Sequence, residues 1–306
     1  MKRVFVTGAT GFIGSAIVRR LIADGHQVSA LVRPESSTWR LGDSARCIHV
    51  IEGSLDAPQA FAKSLADFEP DTVMHLAWHG VGKKHRNAPD QIWRNVGPSV
   101  ELLMTAARSG CRTFIGAGSQ AEYGPSHDVL HEESPTRPTT LYGAAKLATY
   151  VLLSQLAAVS DMRFAWLRLF SVYGPRDDAH TLTSYVCTEL LSGRAPAVRK
   201  GDDAWDYLYV DDAAAAFVAV GKSQAAGAIN VASGDAQPLR ETILRLRDAV
   251  DPSLPINFGA VPEPSSGGFP LQANVDKLRK VGWTPDTSPQ EAALETVDWF
   301  RQHMTS

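Results

Sequence analysis

Residues 7–14 read TGATGFIG, and the fold follows from what surrounds them. Residues 2–7 (KRVFVT) form a short run rich in Val and Phe, the pattern of a buried strand. After the glycines, Ile13, Ile17, Val18, Leu21 and Ile22 recur at helical spacing up to Asp24 and Gly25, a helix stop. Residues 27–32 (QVSALV) make a second apolar strand. Strand, glycine turn, helix, strand is the setting in which a turn cradles a pyrophosphate. Gly8, Gly11 and Gly14 then have separate duties: a positive φ, close approach of backbone to phosphate, and close packing of helix on strand. Free N–H groups and the dipole at the helix start favour an anion there.

The ribose-selecting position lies near the end of the second strand, where an acid would hold the 2′-hydroxyl of NAD. This chain has Val32 and Arg33. An Arg with no carboxylate in that place suits a 2′-phosphate, which favours NADP(H) and leaves NAD(H) as the alternative.

Tyr142 and Lys146 stand four apart within LYGAAKLATYVLLSQLAAV (141–159), so their side chains share one helix face. A phenol ordinarily titrates near ~10, and a neighbouring ammonium favours the phenolate. Such a phenol can exchange a proton with a substrate oxygen. In TFIGAGSQAEYG (113–124), residues 113–115 read as a strand that the next glycines end. Ser119 then stands at its carboxyl end, where open α/β sheets bind ligands. Alone it would read as a turn cap. With Tyr142 and Lys146 it reads as a hydrogen-bond donor to a carbonyl, and the three imply hydride exchange between a nicotinamide and an alcohol or ketone.

The chain resembles the extended short-chain dehydrogenase/reductases, the branch of UDP-galactose 4-epimerase and the nucleotide-sugar dehydratases and reductases. The resemblance rests on TGATGFIG, HLA (75–77), Asn95-Val96, GSQAEYG, YGAAK, RLFSVYGP (168–175), DYLYVDD (206–212) and NVASG (230–234), in that order. It implies an α/β fold of the Rossmann type, a doubly wound parallel sheet with a smaller C-terminal substrate lobe. It implies Ser119, Tyr142 and Lys146 as catalytic residues, the last also on the nicotinamide ribose. The cofactor contacts would be Gly8, Thr10, Gly11, Phe12, Ile13, Gly14, Arg33, Ser54, Leu55, Leu76, Ala77, Trp78, Asn95, Phe170 and Val172. Substrate contacts would come from His79, Lys83, Gln120, Glu122, Tyr123, Ser171 and Arg176. Asp211 matches a structural acid, a helix cap for residues 213–220.

The departures narrow the reaction. Dehydratases of this family carry Asp-Glu after the catalytic hydroxyl, and here Gln120 and Ala121 stand there, leaving water elimination without an acid/base pair. Ser54-Leu55 replaces an Asp that meets adenine, and Ser171 stands where Asn is usual. Trp205 occupies the place of an Arg that grips a diphosphate; Arg176, Arg194, Arg199 and Lys200 are candidate substitutes.

The chain has 306 residues, 44% hydrophobic and 21% charged, ordinary for a globular protein. A formal charge of −3 argues against non-specific nucleic-acid binding. No stretch reaches the ~18 apolar residues of a membrane span. The first residues lack a signal-peptide pattern, and Cys47, Cys111 and Cys187 have no C-x-x-C spacing, so free thiols in a reducing cytoplasm are expected. His79 and His85 read as solvated or substrate-facing, and no metal is expected. The loop 79–91 (HGVGKKHRNAPDQ) reads equally as substrate-recognising or as solvated surface.

Strands are expected at 4–7, 28–32, 47–51, 72–76, 113–115 and 163–169. A dinucleotide-binding domain spans 1–174, with 213–232 returning to it; 175–212 and 233–306 form the substrate lobe. Within the Pro- and Gly-rich 252–270, residues 264–268 are the expected mobile part. Ser288-Pro289 with Glu291 reads as a helix start. Leu102, Leu103 and Met104, and Val151, Leu152, Leu153 and Leu156, extend beyond one helix face. In relatives such helices pair as a four-helix bundle, so a homodimer is expected.

The expected activity is reduction of a nucleotide-linked 4-keto-6-deoxy sugar, with Tyr142 as proton donor. The alternatives are a nucleotide-sugar 4-epimerase holding NAD, and a binding protein that senses NAD(P) with a retired site.

Overall fold

A computed structural model describes residues 1–263 and 268–304. The strands of the central sheet are β1 (Arg3–Thr7), β2 (Gln27–Val32), β3 (His49–Glu52), β4 (Thr72–His75), β5 (Thr113–Ser119), β6 (Arg163–Leu169) and β7 (Gly227–Val231). They form a seven-stranded, wholly parallel sheet in the order β7-β6-β5-β4-β1-β2-β3. The chain runs outward from β1 through β2 to β3 and then crosses back to β4 on the other side of β1, so a crevice opens between the ends of β1 and β4, where ligands bind in such sheets.

The helices are α1 (Phe12–Ala23), α2 (Pro58–Phe68), α3 (Gly97–Arg108), α4 (Leu141–Val159), α5 (Leu182–Leu191), α6 (Val210–Lys222), α7 (Leu239–Val250), α8 (Asp276–Arg279) and α9 (Pro289–His303). α1 and α6 pack their Ala, Val and Ile faces on one side of the sheet. α2, α3 and α4 cover the other with Phe61, Leu65, Leu102, Leu103 and Leu153. A third core gathers Val186, Cys187 and Leu190 of α5, Ile243 and Leu246 of α7, and Val297 and Phe300 of α9. Ser288 and Glu291 close a reciprocal capping box at the start of α9, satisfying N–H groups that a helix leaves open.

Two expectations are corrected, and a third falls on residues that are not described. β5 runs on through Gly116, Ala117 and Gly118 to Ser119 instead of ending at residue 115. The cause lies on β6: a Cβ on Gly116 or Gly118 would stand 2.3 Å or 2.4 Å from the Trp166 indole, so these glycines make room for a ring rather than a turn. Tyr209, not Asp211, stands at the N-cap position of α6, without a side-chain cap bond; Asp211 lies in the first turn, 3.7 Å from Arg19. The segment 264–267 lies outside the described residues.

One strap joins the two ends of the molecule. The 3-10 segment Trp39–Arg46 follows β2. Trp39 stacks on Trp299 of α9, with ring centroids 5.9 Å apart. Its neighbour Arg40 donates to the Arg176 carbonyl at 2.8 Å and pairs with Asp178 at 2.6 Å.

Candidate active site

A cavity of about 800 Å³ runs along the carboxyl ends of the strands. At one end is the glycine turn. Gly8 has φ +72°, and a Cβ there would meet the Ala77 nitrogen at 2.6 Å; one on Gly14 would meet the Gly8 carbonyl oxygen at 2.0 Å. Gly11 caps α1 with no side-chain partner for the first N–H groups, which leaves them for an anion. This tight turn and bare helix start fit a dinucleotide pyrophosphate.

A relay of hydrogen bonds fixes the crevice. The Ala77 N–H donates to Thr7 Oγ1 at 3.3 Å, and Thr7 Oγ1 donates to His75 Nδ1 at 2.7 Å. His75 Nε2–H donates to Ser99 at 2.9 Å, and the Ser99 hydroxyl donates to the Asn95 carbonyl at 2.7 Å. The direction follows from the last bond, which uses the only hydroxyl proton of Ser99. His75 is neutral: burial first, then the charge of Lys146, pulls it down to about 3. Asn95 accepts the His79 N–H at 2.7 Å, so it holds the loop that follows β4.

Ser119, Tyr142 and Lys146 meet on the same cavity. Thr140 caps α4 and sets where Tyr142 emerges. Burial pushes the Tyr142 phenol up from its ordinary value, while the Ser119 hydroxyl and the Arg86 charge work the other way. Lys146 donates to the Ala117 carbonyl at 2.6 Å and lies 3.6 Å from the centroid of the Trp78 ring. Burial lowers it to about 7, against the opposing pull of Glu122.

The expected cofactor residues Thr10, Phe12, Ile13, Arg33, Ser54, Leu55, Leu76, Ala77, Trp78, Asn95, Phe170 and Val172 border this cavity, as do His79, Gln120 and Ser171. Four expected substrate contacts do not. Glu122 is fully buried beneath the site, accepting from the Ser119 N–H, Trp166 Nε1 and Arg168 Nε, each at 2.8 Å. Its charge is spent on Arg168 and its capping box on Ser119. Tyr123 is buried and donates to Asn230 at 2.6 Å. Lys83 sits on an exposed 3-10 turn facing solvent. Arg176 adopts φ +69° and lies against Gly42, within electrostatic reach of Arg19 and Asp211.

The cavity also gathers residues that the sequence reading passed over: Asp56, Arg86, Arg94, Asp177, Thr181, Thr183 and Tyr207. Asp56 lies two residues past the Ser54 that replaces the family's adenine-facing Asp. Tyr207 stood in the quoted DYLYVDD stretch, but Thr181, the cap of α5, and Thr183, in its first turn, had no motif to mark them. Ser171 and Trp205, read as separate departures, touch: the indole N–H donates to the Ser171 hydroxyl at 2.8 Å. The exchange of Asn and Arg for Ser and Trp therefore makes one uncharged contact. Arg33 is also not alone, since Glu35 lies 3.3 Å from its guanidinium.

Comparison with known proteins agrees with this geometry. Residues 4–232 match the NAD dependent epimerase/dehydratase family. A UDP-glucose 4-epimerase of Mycolicibacterium smegmatis is 32% identical over 98% of each chain. The structure is similar to a UDP-N-acetylglucosamine 4-epimerase of Methanobrevibacter ruminantium in complex with UDP-N-acetylmuramic acid (TM-score 0.89, 26% identity, 99% of each chain). It is also similar to a Thermus thermophilus UDP-glucose 4-epimerase in complex with NAD (TM-score 0.83, 26% identity, 98% of this chain and 99% of that one). With the glycine turn, the doubly wound sheet and the Ser119, Tyr142, Lys146 cluster, these matches show that the chain belongs to the NAD dependent epimerase/dehydratase family, within the extended short-chain dehydrogenase/reductases.

Proposed function

We propose that the protein is a 4-epimerase of a nucleotide-linked sugar, working with NAD. The observation that carries the reading is the convergence of Ser119, Tyr142 and Lys146 on the cavity that begins at the glycine turn. The epimerase relatives favour it over the ketoreductase expected from the sequence. NAD is preferred to NADP because the Glu35 carboxylate beside Arg33 both occupies the guanidinium and would repel a 2′-phosphate.

When bound, the dinucleotide supplies a hydride acceptor that later returns the same hydride. Tyr142 removes the proton from the C4 hydroxyl as the C–H bond breaks, giving the 4-ketone, and Ser119 donates a hydrogen bond to the carbonyl oxygen. The sugar turns over, and Tyr142 gives the proton back as hydride arrives on the opposite face. Neither proton nor hydride is consumed. Gln120 and Ala121 offer no acid/base pair for elimination. The helices α3 and α4 are proposed as the dimer face.

The test is to incubate the protein with a catalytic amount of NAD, or of NADP, and UDP-linked hexoses, following C4 configuration by NMR and reduced cofactor by absorbance. Interconversion with no net cofactor change, faster with NAD, is expected. Tyr142→Phe should lose at least ~10²-fold in turnover with dinucleotide affinity kept. Accumulation of reduced cofactor without interconversion, or stoichiometric oxidation of added NADPH with a UDP-4-keto sugar, would instead identify a dehydrogenase or reductase.

A further inference from the structure

We infer that the sugar carries a carboxylate beside its reacting carbon, and that the Arg86 guanidinium receives it. This rests on the nucleotide-sugar reading above and names the class of sugar. The argument is an account of charge. The Arg and Lys residues on the cavity wall are Arg33, Arg86, Arg94 and Lys146. Arg33 is paired with Glu35 at 3.3 Å and Arg94 with Asp56 at 3.6 Å, and Lys146 donates to the Ala117 carbonyl. Among the described residues, Arg86 has neither an ion-pair partner nor a side-chain hydrogen bond.

Its place is fixed. The Arg86 carbonyl accepts the N–H of Tyr142 at 2.8 Å, and the Asn87 side chain accepts that of Leu141 at 3.1 Å, so the loop is strapped to the first turn of α4. The guanidinium carbon stands 5.6 Å from the centroid of the Tyr142 ring. The phenol must meet the oxygen on C4. A cation beside the phenol therefore meets what C4's neighbour bears, not the diphosphate on the anomeric carbon across the ring.

The acids on the cavity wall have their own partners, and Asp56 is already paired with Arg94. Asp177 accepts from the Thr181 hydroxyl at 2.8 Å and from the Asp178 N–H at 2.7 Å, and Asp178 is paired with Arg40. A hydroxymethyl group has no use for a cation so placed; a carboxylate matches its paired donors. The same charge favours the Tyr142 phenolate, so a test must separate the two effects.

The experiment compares kcat/KM for UDP-glucuronate and UDP-glucose in the NAD-loaded protein, in wild type and in Arg86→Gln and Arg86→Lys, with NAD and UDP affinities measured beside them. The wild type should prefer the uronate. Arg86→Gln should reduce the uronate-to-glucose ratio by roughly 10- to 100-fold, the scale of a charge-assisted hydrogen bond, and Arg86→Lys should restore part of it. Any effect through Tyr142 falls on both sugars and cancels in the ratio. An unchanged ratio, a wild-type preference for glucose, or a matching loss of UDP affinity would overturn the carboxylate assignment while leaving the epimerase reading intact. Failure to epimerise either sugar would overturn both.

Discussion

Asp177 looks into the cavity from a site that hides it from water, and burial pushes its carboxyl up to about 6. Between the ordinary aspartate value and that one, the folded chain holds a proton that the unfolded chain has released. The stability this lends falls as pH rises through the window, and the cost of a buried carboxylate is complete above it. Asp177→Asn should therefore be more stable than wild type by about 1–3 kcal/mol near pH 8, with the gain shrinking towards nothing near pH 4. Urea unfolding at both values checks this, and an equal gain at both would mean that Asp177 does not titrate there. Single residues were legible in the sequence where a short motif carried them, as with Ser119, Tyr142 and Lys146. Glu122 and Tyr123 were misplaced because they lie one turn past Ser119. Their partners Trp166, Arg168 and Asn230 come from distant strands, and nothing local shows that these claim both side chains.

The glycine turn acts as one element. A Cβ on Gly14 would press on the Gly8 carbonyl, backbone against backbone, so Gly14→Ala must open the turn that positions the bare start of α1. Dinucleotide affinity should fall at least tenfold, with roughly 1–3 kcal/mol lost from the fold, the scale of overpacking. Gly25, with φ +78° and open space around it, is the control. Gly25→Ala should cost about 1 kcal/mol of backbone strain and leave binding alone. Calorimetric titration and thermal unfolding of both variants distinguish a binding role from a merely conformational one. Elements of this kind are readable because their chemistry is contained in neighbouring residues: the first two strands and α1 came within a residue or two of their true bounds. β5 was cut short because the ring that demands Gly116 and Gly118 sits on β6.

At the scale of the molecule, the apolar surplus of α3 and α4 divides. Leu102, Leu103 and Leu153 belong to the core, while Val151, Leu152 and Val159 remain 50%, 49% and 82% exposed. Half-exposed aliphatic residues along one helix are the kind of surface that a two-fold partner covers. Light scattering at micromolar concentration should give twice the chain mass, and Leu152→Glu should shift it towards the monomer. A monomeric wild type would leave this face without a role. Among the described residues no helix is long and apolar enough to cross a membrane.

The strap from Trp39 and Arg40 to Trp299 and the 176–178 loop begins a few residues past Arg33 and Ser36, which border the cavity. The stretch 33–40 thus borders the cavity at one end and meets α9 at the other. Whatever steadies the segment at one end is felt at the other, and by thermodynamic reciprocity the favour is returned. Dinucleotide binding is therefore expected to slow amide exchange in α9, a protection that Trp39→Ala should weaken.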